Sequence, residues 1–471
     1  MFSRIFNLLI FFFSILLAIL IYFKSEIVWE GVNRGYYFPY YILSFLLFLF
    51  SILFFFSSKE FKTYSIIFSL SAVSALYIFE LILINQRHSF ITIADKKNKE
   101  IKAKEYKKKF NKDYDMRNRF QIYQDYLKVD TNIALSIGPE VYLKYEKNKK
   151  IKEFLLPLSG KSKSKTIVCN ELGEYSTYES DRYGFNNPDE VWNNSEVGFV
   201  LLGDSFVMGS CVNRPNDIAS ILRNLSKQNV INLGNGSNGT LSAASSLFEY
   251  SEKKIDNVIF FHTEHNDLED LNRDLESKIL YEYFKNYNFS QNLISRQNEI
   301  NEVYTKIVSL ALNEYTQNLN ENKFLKLFKF RGSLNEFIKL RQTRNFLLYF
   351  LPETYHPNSY KRNKRKINYS AFENIIRNIK LKSNELNANL YFVYLPTIYR
   401  YNSERHFLSS EKEYQKVKEI VGNLEIQFID IKKMIDNSDN PKSFYPFEME
   451  GHYTIEGYRK VTNYVFNKLK K

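Results

Sequence analysis

The stretch Val197-Gly198-Phe199-Val200-Leu201-Leu202-Gly203-Asp204-Ser205-Phe206 decides how this chain reads. Its first six residues are an apolar run of the length of a fully buried strand. Gly203 lets the backbone turn tightly straight after it, and Ser205 then presents its hydroxyl at the strand's carboxyl end. Outward from there, strands and helices alternate. Helices are expected over 215–225, 243–253, 412–421 and 456–468, and strands over 230–233, 258–261, 389–395 and 426–430. Strands that alternate with helices imply an α/β domain whose parallel sheet is covered on both faces. Ligands of such sheets bind at the carboxyl ends of the strands.

That domain is expected to span 195–471, with a charged helical insertion over about 268–385. Residues 151–194 read as a segment packed on it, and 88–150 as a charged helical stalk. Residues 1–87 read as a membrane anchor. Three long apolar runs (5–23, 36–56 and 64–84) each suffice to cross the hydrocarbon core as a helix. No small-residue cleavage site follows the first, so it reads as retained. Glu80 inside the third is a candidate functional carboxylate, or one that snorkels to the interface. The Lys-rich run from Lys96 to Lys109 pulls this end toward the cytoplasm, whereas three spans from a cytoplasmic N-terminus put it outside.

The net charge of +13 arises from 65 Lys+Arg scattered among 52 Asp+Glu, which reads as a solvated surface. No zinc-ligand spacing or RNA-binding signature accompanies it, which argues against nucleic acid as a partner. Cys169 and Cys211 are the only cysteines. They offer no disulfide framework, and Cys211 reads as a buried thiol. His262 and His265 flank Glu264, but a third ligand at a familiar spacing is missing, so no metal is expected.

A serine hydroxyl needs a base. His452, in Phe447-Glu448-Met449-Glu450-Gly451-His452-Tyr453, lies just before the last helix, where the chain returns to the carboxyl edge of the sheet. A developing oxyanion needs donors. The loop Asn232-Leu233-Gly234-Asn235-Gly236-Ser237-Asn238-Gly239 offers backbone amides, and Asn266 a side-chain amide.

These four blocks, Gly203-Asp204-Ser205, Asn232-Leu233-Gly234 with its following glycines, Asn266-Asp267 and Gly451-His452-Tyr453, together resemble the SGNH (GDSL-type) hydrolases over roughly residues 195–471. The upstream Ser180-Asp181-Arg182-Tyr183-Gly184-Phe185-Asn186 and the terminal Glu456-Gly457-Tyr458 are similar to a membrane-attached bacterial branch often found with surface-polysaccharide synthesis. The resemblance implies a flavodoxin-like three-layer fold, Ser205 as nucleophile and His452 as base. It implies an oxyanion hole from the Ser205 amide, an amide at Gly236, Ser237 or Gly239, and Asn266, with Gly203, Asp204 and Asp267 in support and no cofactor. The family's orienting acid falls at Met449 here, which leaves Glu450, then Glu448, as expected substitutes, or a Ser–His dyad. The implied activity is hydrolysis or transfer of an acyl ester, on a cell-surface carbohydrate, by a multi-pass protein of the bacterial cell membrane with an extracytoplasmic catalytic domain. The competing reading is a scaffold that has lost catalysis with the acid and binds a glycan or a partner.

Overall fold

The computed structural model describes residues 2–29, 31, 33–147, 155–320, 334–349, 367–402 and 404–470. They divide into two compact units, Met1–Lys97 with Gln317–Lys364, and Asn98–Thr316 with Arg365–Lys471.

The first unit begins with α1 (Phe2–Tyr22), α2 (Arg34–Phe56) and α3 (Lys59–Phe110) up to Lys97. Three stretches, Ser3–Val28, Arg34–Phe56 and Lys59–Ile84, are long and apolar enough to cross a membrane. Leu and Phe side chains of these helices point outward, as a lipid solvent requires. Between α1 and α2, Ser44 Oγ donates to the Ser14 carbonyl at 2.8 Å, and the Phe11 and Phe48 rings lie 5.4 Å apart.

The region expected as a helical stalk is not purely helical. After α4 (Arg119–Leu127), residues Ile133–Leu135 form strand β1, followed by α5 (Pro139–Lys147). Strand β1 pairs in parallel with β2 (Lys165–Ile167), which pairs antiparallel with β3 (Thr177–Glu179). A three-residue apolar run is too short to announce itself as a strand, and its partner lies about thirty residues away.

The main sheet follows: β4 (Glu196–Leu202), β5 (Val230–Asn232), β6 (Lys254–Thr263), β7 (Asn389–Leu395) and β8 (Gln427–Asp430). All its pairings are parallel, in the order β5-β4-β6-β7-β8. Side chains alternate between two cores. Val200 and Leu202 pack in one, with Leu247 of α8 (Thr240–Tyr250), Ile376 of a helix at Tyr369–Glu385 and Val417 of a helix at Glu404–Asn423. Phe199 and Leu201 pack in the other, with Leu222 of a helix at Ile218–Ser226, Ile435 of one at Ile431–Asp436 and Val461 of one at Ile455–Leu469. Each such side chain contributes about 1.5–3 kcal/mol on burial. Helices therefore cover both faces. The chain steps from β4 outward to β5, then back across β4 to β6. The connections diverge at the carboxyl end of β4, the place where sheets of this kind bind ligands.

The insertion expected at 268–385 is divided between the units. Helices at Asn266–Asp274 and Lys278–Lys285, and most of the one at Gln297–Asn320, belong with the sheet. Two short helices, Leu334–Ile338 and Arg341–Tyr349, belong with the apolar helices.

Candidate active site

The turn that carries Ser205 is closed to larger residues. Gly203 has φ +155°, and a Cβ there would lie 2.5 Å from Val207 Cγ2. Asp204 caps the short helix Ser205–Met208 by accepting from the Phe206 amide at 3.0 Å. Its carboxylate also accepts from Thr263 Oγ1 at 3.0 Å and from Asn266 Nδ2 at 2.6 Å. Burial pushes its pKa up, against these hydrogen bonds. Asp204 thus fastens Asn266 beside the Ser205 turn. Asp267 closes the β6 turn by accepting from the Thr263 amide at 3.0 Å.

His452 Nε2 lies 2.9 Å from Ser205 Oγ. Its Nδ1 lies 3.0 Å from Glu171 Oε1, and its backbone N–H donates to Glu171 Oε2 at 2.6 Å. The carboxylate behind His452 is therefore Glu171, outside the sheet domain, and neither Glu450 nor Glu448. Glu448 instead accepts from Asn440 Nδ2 at 2.8 Å, and the Glu450 side chain is bonded to Tyr399. Gly451 makes room for the arrangement, since a Cβ there would lie 2.6 Å from Glu171 Oε2. The positions next to a histidine in sequence need not face its Nδ1; here the turn before the last helix aims them elsewhere.

The electrostatics of the pair agree. Burial lowers the His452 pKa, but the charge and hydrogen bond of Glu171 outweigh it and hold the imidazole above its ordinary value. Burial raises Glu171, but His452, with Lys102 in support, holds it below the usual carboxylate range. Lys102 Nζ also donates to the Glu450 carbonyl at 2.7 Å, so part of the Lys-rich run serves the site. A base must be neutral to accept the serine proton. The acid limb of kcat/KM should accordingly have its midpoint above the ordinary histidine value of about 6.5, and Glu171→Gln should move it down. A pH–rate profile of both proteins checks this.

Glu171 is held in place by a covalent tie. Cys169 and Cys211 form a disulfide with Cα atoms 5.0 Å apart, 42 residues apart in sequence. This corrects the expectation of a free buried thiol at Cys211. The bridge joins the segment two residues before Glu171 to the loop six residues after Ser205. Among the described residues, the group of side chains placed to hold a metal is Cys169, Cys211 and His452, and the bridge occupies both sulfurs. Replacing both cysteines by serine should lower stability by about 2–4 kcal/mol. It should also lower kcat in the fraction that stays folded; calorimetry and initial rates at a temperature below both transitions check this.

The segment 180–187 is a bracket. Buried Asp181 accepts from the Tyr183 and Phe185 amides, Asn187 Nδ2 and Trp192 Nε1. Burial nevertheless raises it to about 6. So fixed, Asn186 Nδ2 donates to the Met208 carbonyl at 2.8 Å, and Asn187 Oδ1 accepts from the Asn232 amide at 2.9 Å. The bracket thereby joins the end of the nucleophile helix to the start of the loop carrying Gly236, Ser237 and Gly239. That loop is held against the nucleophile turn by Asn238 Nδ2, which donates to the Gly203 carbonyl at 3.1 Å. Gly239 caps α8 and packs on the Asn266–Asp274 helix, where a Cβ would lie 2.6 Å from Asp274 Oδ2.

His262 and His265 share a partner, buried Glu413, at 3.4 Å and 3.1 Å. Glu413 also accepts from the His265 amide at 2.8 Å, which fixes His265 at φ +65° immediately before Asn266. His265 Nε2 lies 2.7 Å from Ser410 Oγ.

Glu171 and the bridge were not found from sequence. The signal available was the proximity of Cys169 to Glu171 and of Cys211 to Ser205; a Cys169–Cys211 pairing would have delivered the acid.

No protein-family model matches the chain, and no curated protein does. It is similar to a solved structure from Desulfitobacterium hafniense, a protein provisionally described as lipolytic and of the G-D-S-L family. Identity is 13%, covering 58% of this chain and 99% of that one, at a TM-score of 0.28. A likeness that weak in shape adds nothing to the geometry.

Proposed function

We propose that this chain is a membrane-anchored serine esterase or O-acyltransferase of the SGNH type, with a flavodoxin-like three-layer catalytic domain. The observation that carries the reading is the hydrogen-bonded series Ser205–His452–Glu171 at the carboxyl end of β4. Ser205 Oγ attacks the acyl carbon and His452 Nε2 takes its proton. Glu171 fixes the imidazole with Nδ1 protonated and steadies the imidazolium that forms. The Ser205 amide, an amide of the 236–239 loop and the second amide hydrogen of Asn266 are suited to the oxyanion. Collapse expels the alcohol, protonated by His452, and leaves an acyl-Ser205 ester. Water then yields the acid, or an acceptor hydroxyl yields a new ester; His452 serves as base for either.

An acyl ester of a cell-surface carbohydrate fits a catalytic domain tethered to a membrane. The disulfide supports an extracytoplasmic domain, since such bridges persist in oxidising compartments. The alternative, a scaffold without catalysis, drew its motive from Met449 standing where an acid was expected; Glu171 supplies one.

Labelling with a fluorophosphonate probe, followed by peptide mass spectrometry, tests the proposal. A single adduct on Ser205 is expected, competed by acetyl esters. A folded protein that takes no label would return the choice to a binding module.

A further inference from the structure

Within the first unit, α1 and α2 pack together as a hairpin. The start of α2 carries Tyr36, Tyr37, Tyr40 and Tyr41, the aromatic residues that favour a membrane–water interface. Glu80, on the third apolar helix, is fully buried. A carboxylate in such a helix needs a partner. The partner is the helix Arg341–Tyr349: Glu80 Oε1 accepts from the Gln342 amide at 2.9 Å and Oε2 from the Thr343 amide at 2.7 Å. Those amides are among the unsatisfied donors of a helix start, so each need answers the other.

Further contacts fix this helix and its neighbour Leu334–Ile338. Tyr77 Oη donates to the Ile338 carbonyl at 3.0 Å, and the Tyr77 ring lies 5.2 Å from Phe337. The Phe79 and Phe346 rings lie 5.4 Å apart. The outward face is apolar: Leu334, Ile338 and Leu347 are 68%, 58% and 55% exposed. On α3, Ile78 is likewise exposed, at 60%. Lys339 stands exposed among these side chains, whereas Arg341 pairs with Glu336 and Arg344 Nε is buried. Apolar side chains beside an exposed cation suit the boundary between acyl chains and anionic headgroups.

We propose that residues 334–349 are an interfacial docking element for an anionic phospholipid surface, held on the third apolar helix by Glu80. Leu334, Ile338 and Leu347 enter the acyl boundary, and Lys339 meets headgroup phosphates. The span hydropathy alone assigns nothing to this segment, which lies some 250 residues further along the chain.

The test uses the full chain in nanodiscs containing phosphatidylglycerol, with an environment-sensitive fluorophore on Leu347→Cys and, as a water-exposed reference, on Lys460→Cys. The native cysteines remain bridged. At Leu347→Cys the emission should be blue-shifted, quenched by lipids spin-labelled near the headgroup, and quenched by iodide about fivefold less than at the reference. Glu80→Ala should raise iodide quenching about twofold or more. Iodide quenching equal to the reference would overturn the proposal. Protection from iodide without lipid quenching would also overturn it, because a protein would then cover the face. An unchanged profile in Glu80→Ala would overturn the clamp. Ile338→Cys repeats the measurement should Leu347→Cys fail to fold.

Discussion

Ser205→Ala is expected to lower acyl-ester turnover by at least about ten-thousandfold and to leave the fold intact. The size follows from geometry. Ser205 Oγ is the hydroxyl within hydrogen-bond reach of His452 Nε2, at 2.9 Å. Without it no acyl-enzyme forms, and what remains is attack by water aided by the oxyanion donors alone. The stability change should be within about 0.5 kcal/mol, because the hydroxyl holds no other part of the structure together. The turn is secured instead by the Asp204 carboxylate and by the backbone bond from Ser210 to the Ser205 carbonyl at 2.9 Å. Initial rates on a chromogenic acetyl ester, paired with a melting curve, check both halves. Turnover within tenfold of the native protein, with melting unchanged, would remove Ser205 as nucleophile.

The parts of the fold legible in the sequence were those written in local periodicity. Asn389–Leu395 is the strand its apolar run announces, and the last helix, Ile455–Leu469, departs from the expected 456–468 by one residue at each end. The placement of Ser205 and His452 at one sheet edge followed from topology, since carboxyl ends of parallel strands share an edge. What stayed hidden was non-local. Apart from the neighbouring Cys169, nothing near Glu171 indicates that its carboxylate will meet a histidine 281 residues later. Nothing near Glu80 indicates that its partners are the amides of residues 342 and 343. Both carboxylates find partners through chain crossings that no window of ten or twenty residues contains.

This difference has a chemical consequence. An acid placed a few residues before the base arrives with the base, on one loop. Here the acid comes from a segment outside the sheet and depends on the Cys169–Cys211 bridge, on the room left by Gly451, and on the backbone N–H of His452 for its second oxygen. The charge–histidine pair is therefore assembled by the fold of two segments, and catalysis should be more sensitive to the integrity of residues 165–187 than the sheet domain alone would suggest.

Glu171→Ala should therefore lower kcat by about a hundred- to ten-thousandfold, whereas Glu450→Ala and Glu448→Ala should each cost less than about tenfold. Alanine at 171 leaves the His452 ring without its Nδ1 acceptor at 3.0 Å and leaves the His452 amide without an acceptor at 2.6 Å. The neutral imidazole can then carry its proton on Nε2, the wrong nitrogen, and the imidazolium formed during attack loses its counter-charge. Glu171→Gln separates these effects, because an amide can still accept from Nδ1 but brings no charge; its loss should fall below that of alanine. Glu450 faces Tyr399 and Glu448 faces Asn440, so removing either carboxylate leaves the Ser205–His452 bond untouched. Measured on the same ester, the three variants rank the candidate acids directly. A larger loss for Glu450→Ala than for Glu171→Ala would mean that the acid is not the one bonded to His452 Nδ1.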